Sequence, residues 1–141
     1  MKPSLIRTLS RILLGIAFII AGANHFRDPA TYVAMIPPWL PSPELLNLIS
    51  GAAEIAGGMG ILIPRTRNAA ATGLVLLLIV VFPANLHIAL NGWAGIDIPR
   101  WILVARLPFQ LLFIAWVVFS CPGLATYLKR FLPSARIFRK R

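Results

Sequence analysis

The chain has 141 residues, 58% of them hydrophobic, with a mean hydropathy of +0.80; that is the length of one domain and too apolar for an ordinary water-soluble one. Fourteen basic residues against four acidic ones give a formal charge of +10, but the charges sit between apolar runs and at the ends, which favours a membrane protein over a nucleic-acid binder. The single cysteine, Cys121, excludes an intramolecular disulfide and a paired-thiol redox centre.

In chain order, four apolar segments approach the roughly twenty residues needed to span a bilayer. They run from Leu5 to Phe26, Leu45 to Ile63, Ala69 to Leu90 and Trp101 to Ser120. The expected fold is all-α, a four-helix transmembrane bundle over residues 1–121 with a basic amphipathic tail over 122–141. Basic residues ahead of Ile12 to Ile20, followed by Ala21-Gly22-Ala23, also match a cleavable signal peptide. Gly15 and the polar Asn24-His25 favour a retained, packed helix instead.

The first connection holds Arg27-Asp28-Pro29 and the proline-rich Pro37-Pro38-Trp39-Leu40-Pro41-Ser42-Pro43. Asp28 is placed to cap a short helix beginning at Pro29, with Tyr32, Val33 and Ile36 on one side, and this segment is expected to lie over the bundle as a lid. Ser42 is placed to cap the second span, with Pro43 at its first position and Glu44 near its positive end. Beyond Pro122-Gly123, Leu124, Tyr127, Leu128, Phe131 and Leu132 recur at helical spacing beside Lys129 and Arg130. With Arg136, Arg139, Lys140 and Arg141 they form a tail suited to the cytoplasmic membrane surface and anionic lipid, or to fixing orientation alone.

Basic residues set the orientation. Lys2, Arg7 and Arg11 precede the first span, Arg65 and Arg67 separate the second and third, and the tail follows the fourth. The other loops hold Arg27 and Arg100, offset by Asp28 and Asp97. All the basic regions fall on one side if both termini are cytoplasmic.

Polar residues within the spans gather toward the other side. Glu54 lies roughly 13 to 15 Å below the outer end of the second span. Asn24 and His25 close the first span, Asn85 and His87 sit in the outer part of the third, and Arg106 and Gln110 in the outer half of the fourth. A lone charge at that depth costs on the order of 3 kcal/mol, so Glu54 and Arg106 are expected to pair, either as a structural clasp or within a polar pocket. Each histidine alone is accounted for by reaching water or headgroups. Metal or haem is not expected, because no carboxylate or thiol at ligand spacing supports the histidines.

Asn24-His25-Phe26 followed by Pro29, Ile36-Pro37-Pro38, Leu40-Pro41, Ile49-Ser50-Gly51 with Glu54 and Gly58, Pro64 with Thr66-Arg67, Val81-Phe82-Pro83-Ala84-Asn85, and Arg106-Leu107-Pro108 with Gln110 resemble the DoxX family, in its small DoxX-like branch. The resemblance covers most of the chain and stops before the basic tail. It implies a four-helix protein of the bacterial plasma (inner) membrane, related to small subunits of quinone-linked oxidoreductases. It also implies that Asn24, His25, Glu54, Asn85, Arg106 and Gln110 occupy motif positions; His87 joins them as a candidate by its place in the third span.

Two function classes follow. In one, the chain is a membrane subunit or accessory of a redox system, with the pocket receiving a quinone headgroup or organising a redox partner protein. In the other, it binds or transports a small solute without chemistry. With no thiol pair, dinucleotide loop or convincing haem ligands, a stand-alone enzyme is not expected, nor an intrinsic cofactor beyond a bound quinone. Self-association is left open, and nucleic acid is not an expected partner. The charge count makes a direct prediction. In a Cys121-free background, single cysteines at Trp39 and Gly95 should react with an impermeant thiol reagent outside intact cells. A cysteine at Arg67 should react only after lysis, and its labelling beforehand would refute the orientation.

Overall fold

The computed structural model describes residues 4–130, and all regular structure there is helical. The helices are α1 (Leu5–Arg27), α2 (Pro29–Val33), α3 (Pro43–Leu62), α4 (Arg67–Val80), α5 (Phe82–Asn91), α6 (Arg100–Ser120) and α7 (Leu124–Leu128). With α4 and α5 taken as one interrupted span from Arg67 to Asn91, four helices are long and apolar enough to cross a membrane. This is the architecture of a multi-pass membrane protein. Each span leaves large apolar side chains exposed, among them Leu9, Leu13, Ile79, Leu111 and Leu112; such a surface is costly in water and ordinary in lipid.

Local chemistry explains most boundaries. Ser4 accepts from the Arg7 amide at the start of α1. Asp28 caps α2 as expected, accepting from the Thr31 amide and, at 2.6 Å, from its hydroxyl. Ser42 does not cap α3 through its side chain: it adopts the left-handed φ 51°, ψ 60° in place of the extended geometry usual for an N-cap and for a residue before proline. Pro43 still occupies the first turn. The α3–α4 turn is stitched by Thr66, which donates to the Gly60 carbonyl, and by Arg67, which donates to the Ile61 carbonyl. Carbonyls left over at the end of α3 are thereby satisfied.

The third span breaks at Val81. Pro83 has no amide hydrogen to give the Ile79 carbonyl, and the chain restarts as α5 with Pro83 in its first turn. Pro108, by contrast, is absorbed within a continuous α6.

Helices α1 and α3 approach almost backbone to backbone. A Cβ on Gly22 would lie 2.6 Å from the Gly51 carbonyl and 2.7 Å from Ile55, and one on Gly51 would lie 2.6 Å from the His25 Cβ. Gly22 is therefore packed against α3, while the adjoining Ala23 is exposed. Helix α3 also packs on α4, and α5 packs on α6.

At the end rich in basic residues, α1, α3, α4 and α6 close around a core of Leu14, Phe18, Ile61, Ala71, Leu74, Val117 and Cys121. There Trp116 donates to the Ser10 hydroxyl at 2.8 Å, and the Ser10 and Ser120 hydroxyls lie 2.7 Å apart, tying α1 to α6. A second, smaller core of Met35, Ile88 and Leu103 forms at the opposite end, with Tyr32, Trp93 and Ile98 packed on it.

The described part of the tail packs on the bundle. Leu124 is buried in the larger core, Leu128 packs against it, and Gly123 abuts Asn68, so α7 docks on α4. The Pro122-Gly123 turn folds it back, since a Cβ on Gly123 would come within 2.9 Å of the Asn68 side chain. The expected continuation through Phe131 and Leu132 to Arg136, Arg139, Lys140 and Arg141 lies outside the described residues.

The glycine contact gives a measurable outcome. Gly22→Ala should destabilise the purified protein by about 1–3 kcal/mol, the usual cost of overpacking. Gly73→Ala, with nothing within 4 Å of its Cβ position, should be neutral or slightly stabilising. Equal thermal midpoints for the two variants would contradict the close approach.

Candidate functional site

A cavity of about 740 Å³ lies between the two cores. One wall is α1 and α3, contributing Ala17, Ala21, His25, Asn47, Ser50 and Glu54. The other is the α4–α5 junction with α6, contributing Val81, Ala84, Asn85, Arg106, Phe109 and Gln110. Phe18, Leu78 and Phe113 line it on the side of the larger core. Tyr32, Met35, Ile36, Trp39 and Leu40, from the segment between α1 and α3, cover the opposite end. This segment is the expected lid. Its buried anchors are Met35 and Pro37.

The cavity exists because the third span is broken. Beyond Val81, α5 follows α6 instead of α3, so the bundle separates into two helix pairs and leaves a space between them. Most of the lining is apolar, and Val80, Trp101 and Phe109 are largely exposed at its margins.

The polar groups fall into two networks. On the first wall, Asn47 donates from Nδ2 to the His25 carbonyl at 3.1 Å, and its Oδ1 lies 2.7 Å from His25 Nδ1. A backbone carbonyl can only accept, which orients the Asn47 amide and places a hydrogen on His25 Nδ1. His25 Nε2 is then turned to Glu54 Oε2 at 3.7 Å, longer than a hydrogen bond and an ion pair only when the imidazole is protonated on both nitrogens. On the second wall, Gln110 donates to the Leu78 carbonyl beside the helix break, and Asn85 donates to Gln110 Oε1 at 3.2 Å.

The expected Glu54–Arg106 pair does not form. Glu54 meets His25, and the Arg106 guanidinium sits 5.2 Å from the centre of the Trp93 ring. Glu54 and Arg106 are on opposite walls, and the indole face gives the cation an alternative partner beside the lid. The lid is fastened there as well, since the Trp93 indole donates to the Thr31 carbonyl at 2.9 Å. Tyr32 stacks on His25 with ring centres 3.9 Å apart. Burial, and then the Glu54 carboxyl, hold the Tyr32 phenol above its ordinary pKa, so it stays neutral at physiological pH.

Of the seven sequence candidates, His25, Glu54, Asn85, Arg106 and Gln110 line this cavity. Asn24 does not line it; it faces the Tyr32 hydroxyl at the margin. His87 is separate. It interacts with Asn91 and borders a shallow hollow with Trp93 and Ile98. Asn47 is the main residue the sequence reading missed. It lies seven residues before Glu54, hence on the same helix face, and that spacing was the available signal. Among the described residues, no three of His, Cys, Asp and Glu gather in a way that could hold a metal ion.

A family model described as a domain of unknown function (DUF8561) matches residues 14–121. The chain belongs to that family. The match contains every residue that lines the cavity. No curated protein and no solved structure matches the chain.

Double-mutant cycles test the rearranged pairing. His25→Gln and Glu54→Gln should couple, by about 0.5–3 kcal/mol in detergent stability, as contacting residues do. Glu54→Gln and Arg106→Gln should add to within about 0.5 kcal/mol. Coupling in the second cycle but not the first would restore the Glu54–Arg106 clasp.

Proposed function

We propose that this protein is a DoxX-like membrane component of a quinone-linked redox system, an accessory or subunit and not a stand-alone enzyme. The carrying observation is the cavity itself: a largely apolar space among membrane-length helices, with hydrogen-bonding groups on its two walls. Sites for lipid-soluble ligands with a polar head combine an apolar lining with a few fixed polar groups. The volume of about 740 Å³ suits an aromatic headgroup and the start of its tail. His25, Glu54, Asn85 and Gln110 would hold the oxygen-bearing ring, while Phe18, Phe109 and Phe113 would pack on it and on the tail. Exposed Val80, Trp101 and Phe109 leave the margins open to lipid, the direction from which such a molecule arrives.

A bound quinone supplies two-electron chemistry; this chain supplies the pocket. With one cysteine and no dinucleotide loop in the sequence, electron transfer is assigned to a partner protein. We place the protein in the bacterial inner membrane with both termini cytoplasmic, on the distribution of basic residues. The cavity then opens toward the outer leaflet. The solute-transport reading gains less support: only one span is broken, whereas transporter sites built from interrupted helices use a pair.

Protein purified in mild detergent should carry a quinone detectable by mass spectrometry of its lipid extract. Ala105→Trp, which fills the cavity from α6 without removing a polar group, should lower the quinone content at least about five-fold at unchanged folded yield. An extract free of quinone, or equal content in the variant, would remove the reading.

A further inference from the structure

Two buried oxygens in the cavity have no hydrogen-bond partner among the described residues: Glu54 Oε2 on one wall and Asn85 Oδ1 on the other. The Asn85 oxygen is assigned by a chain of constraints. The Leu78 carbonyl can only accept, so Gln110 turns its NH₂ toward it. Gln110 Oε1 therefore faces Asn85 and receives the Asn85 NH₂. What remains of Asn85 is its carbonyl oxygen, an obligatory acceptor.

The amide and imidazole N–H groups of these two networks are engaged within them. The Asn85 and Gln110 amides form the relay to Leu78, and His25 Nδ1 serves Asn47, so neither network supplies a donor to Glu54 Oε2 or Asn85 Oδ1. A buried acceptor left without a donor is costly, and a ligand that brings donors removes that cost. The oxidised ring of a quinone presents carbonyl oxygens, which are acceptors and would face Asn85 Oδ1 unfavourably. The reduced ring presents two hydroxyls, which are donors.

The geometry points to a cavity selective for the reduced form: Glu54 and Asn85 accept hydrogen bonds from the two hydroxyls of a lipid-soluble dihydroxyaromatic molecule. This rests on the quinone reading above and adds the redox state that the walls select. It concerns binding and needs no electron acceptor. A site made to accept hydrogen bonds discriminates strongly against an analogue that lacks the donor, because its own groups are then left unpaired.

The test is equilibrium binding of decylubiquinol and decylubiquinone to the full-length protein in nanodiscs of neutral phospholipid. It is followed by tryptophan quenching, with the quinol kept reduced under anaerobic conditions. The quinol should bind at least about ten-fold more tightly. Glu54→Gln, which adds an amide donor, should shrink the preference below about three-fold by strengthening quinone binding. A purely structural role for Glu54 would weaken both ligands alike and would count against the assignment. Equal affinities in the wild type, or tighter quinone binding, overturn this inference and leave the quinone site standing. If neither ligand binds, both readings fall. The wild-type comparison decides even where the variant does not fold.

Discussion

Where α1 crosses α3, Gly22 and Gly51 leave no side chain between the two backbones, and the rest of the structure is arranged around that contact. Lipid offers no hydrophobic drive for one apolar helix to join another, so close packing and interhelical hydrogen bonds must hold the pair. The glycine contact supplies the packing and brings His25 within reach of Asn47, whose two bonds then fix the registry. Glu54, two turns further along the same face of α3, is consequently set against His25 Nε2. A wider crossing would separate all three residues and leave a carboxyl group with no neighbour among apolar side chains.

The facing pair is built differently. Here a broken backbone takes the place of glycine, and the Leu78 carbonyl beside the break is met by Gln110. Asn85 is then held by Gln110 from the first turn of the restarted helix. One wall is thus organised by side chains that are missing and the other by a helix that is interrupted. The cavity is what remains when two such pairs pack directly at one end and are bridged at the other by the lid, through Met35 and the Trp93–Thr31 bond.

Much of this was legible in the sequence, because span length, proline position and end capping are local properties. The four spans end within a few residues of their expected limits, and Asp28 caps the helix at Pro29. That polar residues would gather toward one end was also readable. Which of them would touch was not, since that depends on how the helices rotate about their axes. Glu54 and Arg106 looked complementary by charge and depth, but charge cannot reveal that an indole from the loop after α5 lies under the guanidinium. His87 could have been set aside from spacing alone: two residues from Asn85 on a helix is about 200°, so the two face opposite ways. The Ser10–Ser120–Trp116 cluster gave no signal in advance, because serines at helix ends are ordinary and their meeting is a matter of tertiary packing.

That cluster has a mechanical consequence. With α1 fastened to α6 near Ser10, and His25 about 22 Å along the helix at 1.5 Å per residue, any difference in the α1–α6 angle is magnified at the cavity. A rotation of about 5° about that point carries His25 sideways by roughly 2 Å, with α3 following as a rigid partner. Two ångströms is the difference between a hydrogen bond and none. The hydroxyls near Ser10, with the core of Leu14, Phe18 and Val117 beside them, therefore help to set the width of a gap they do not touch.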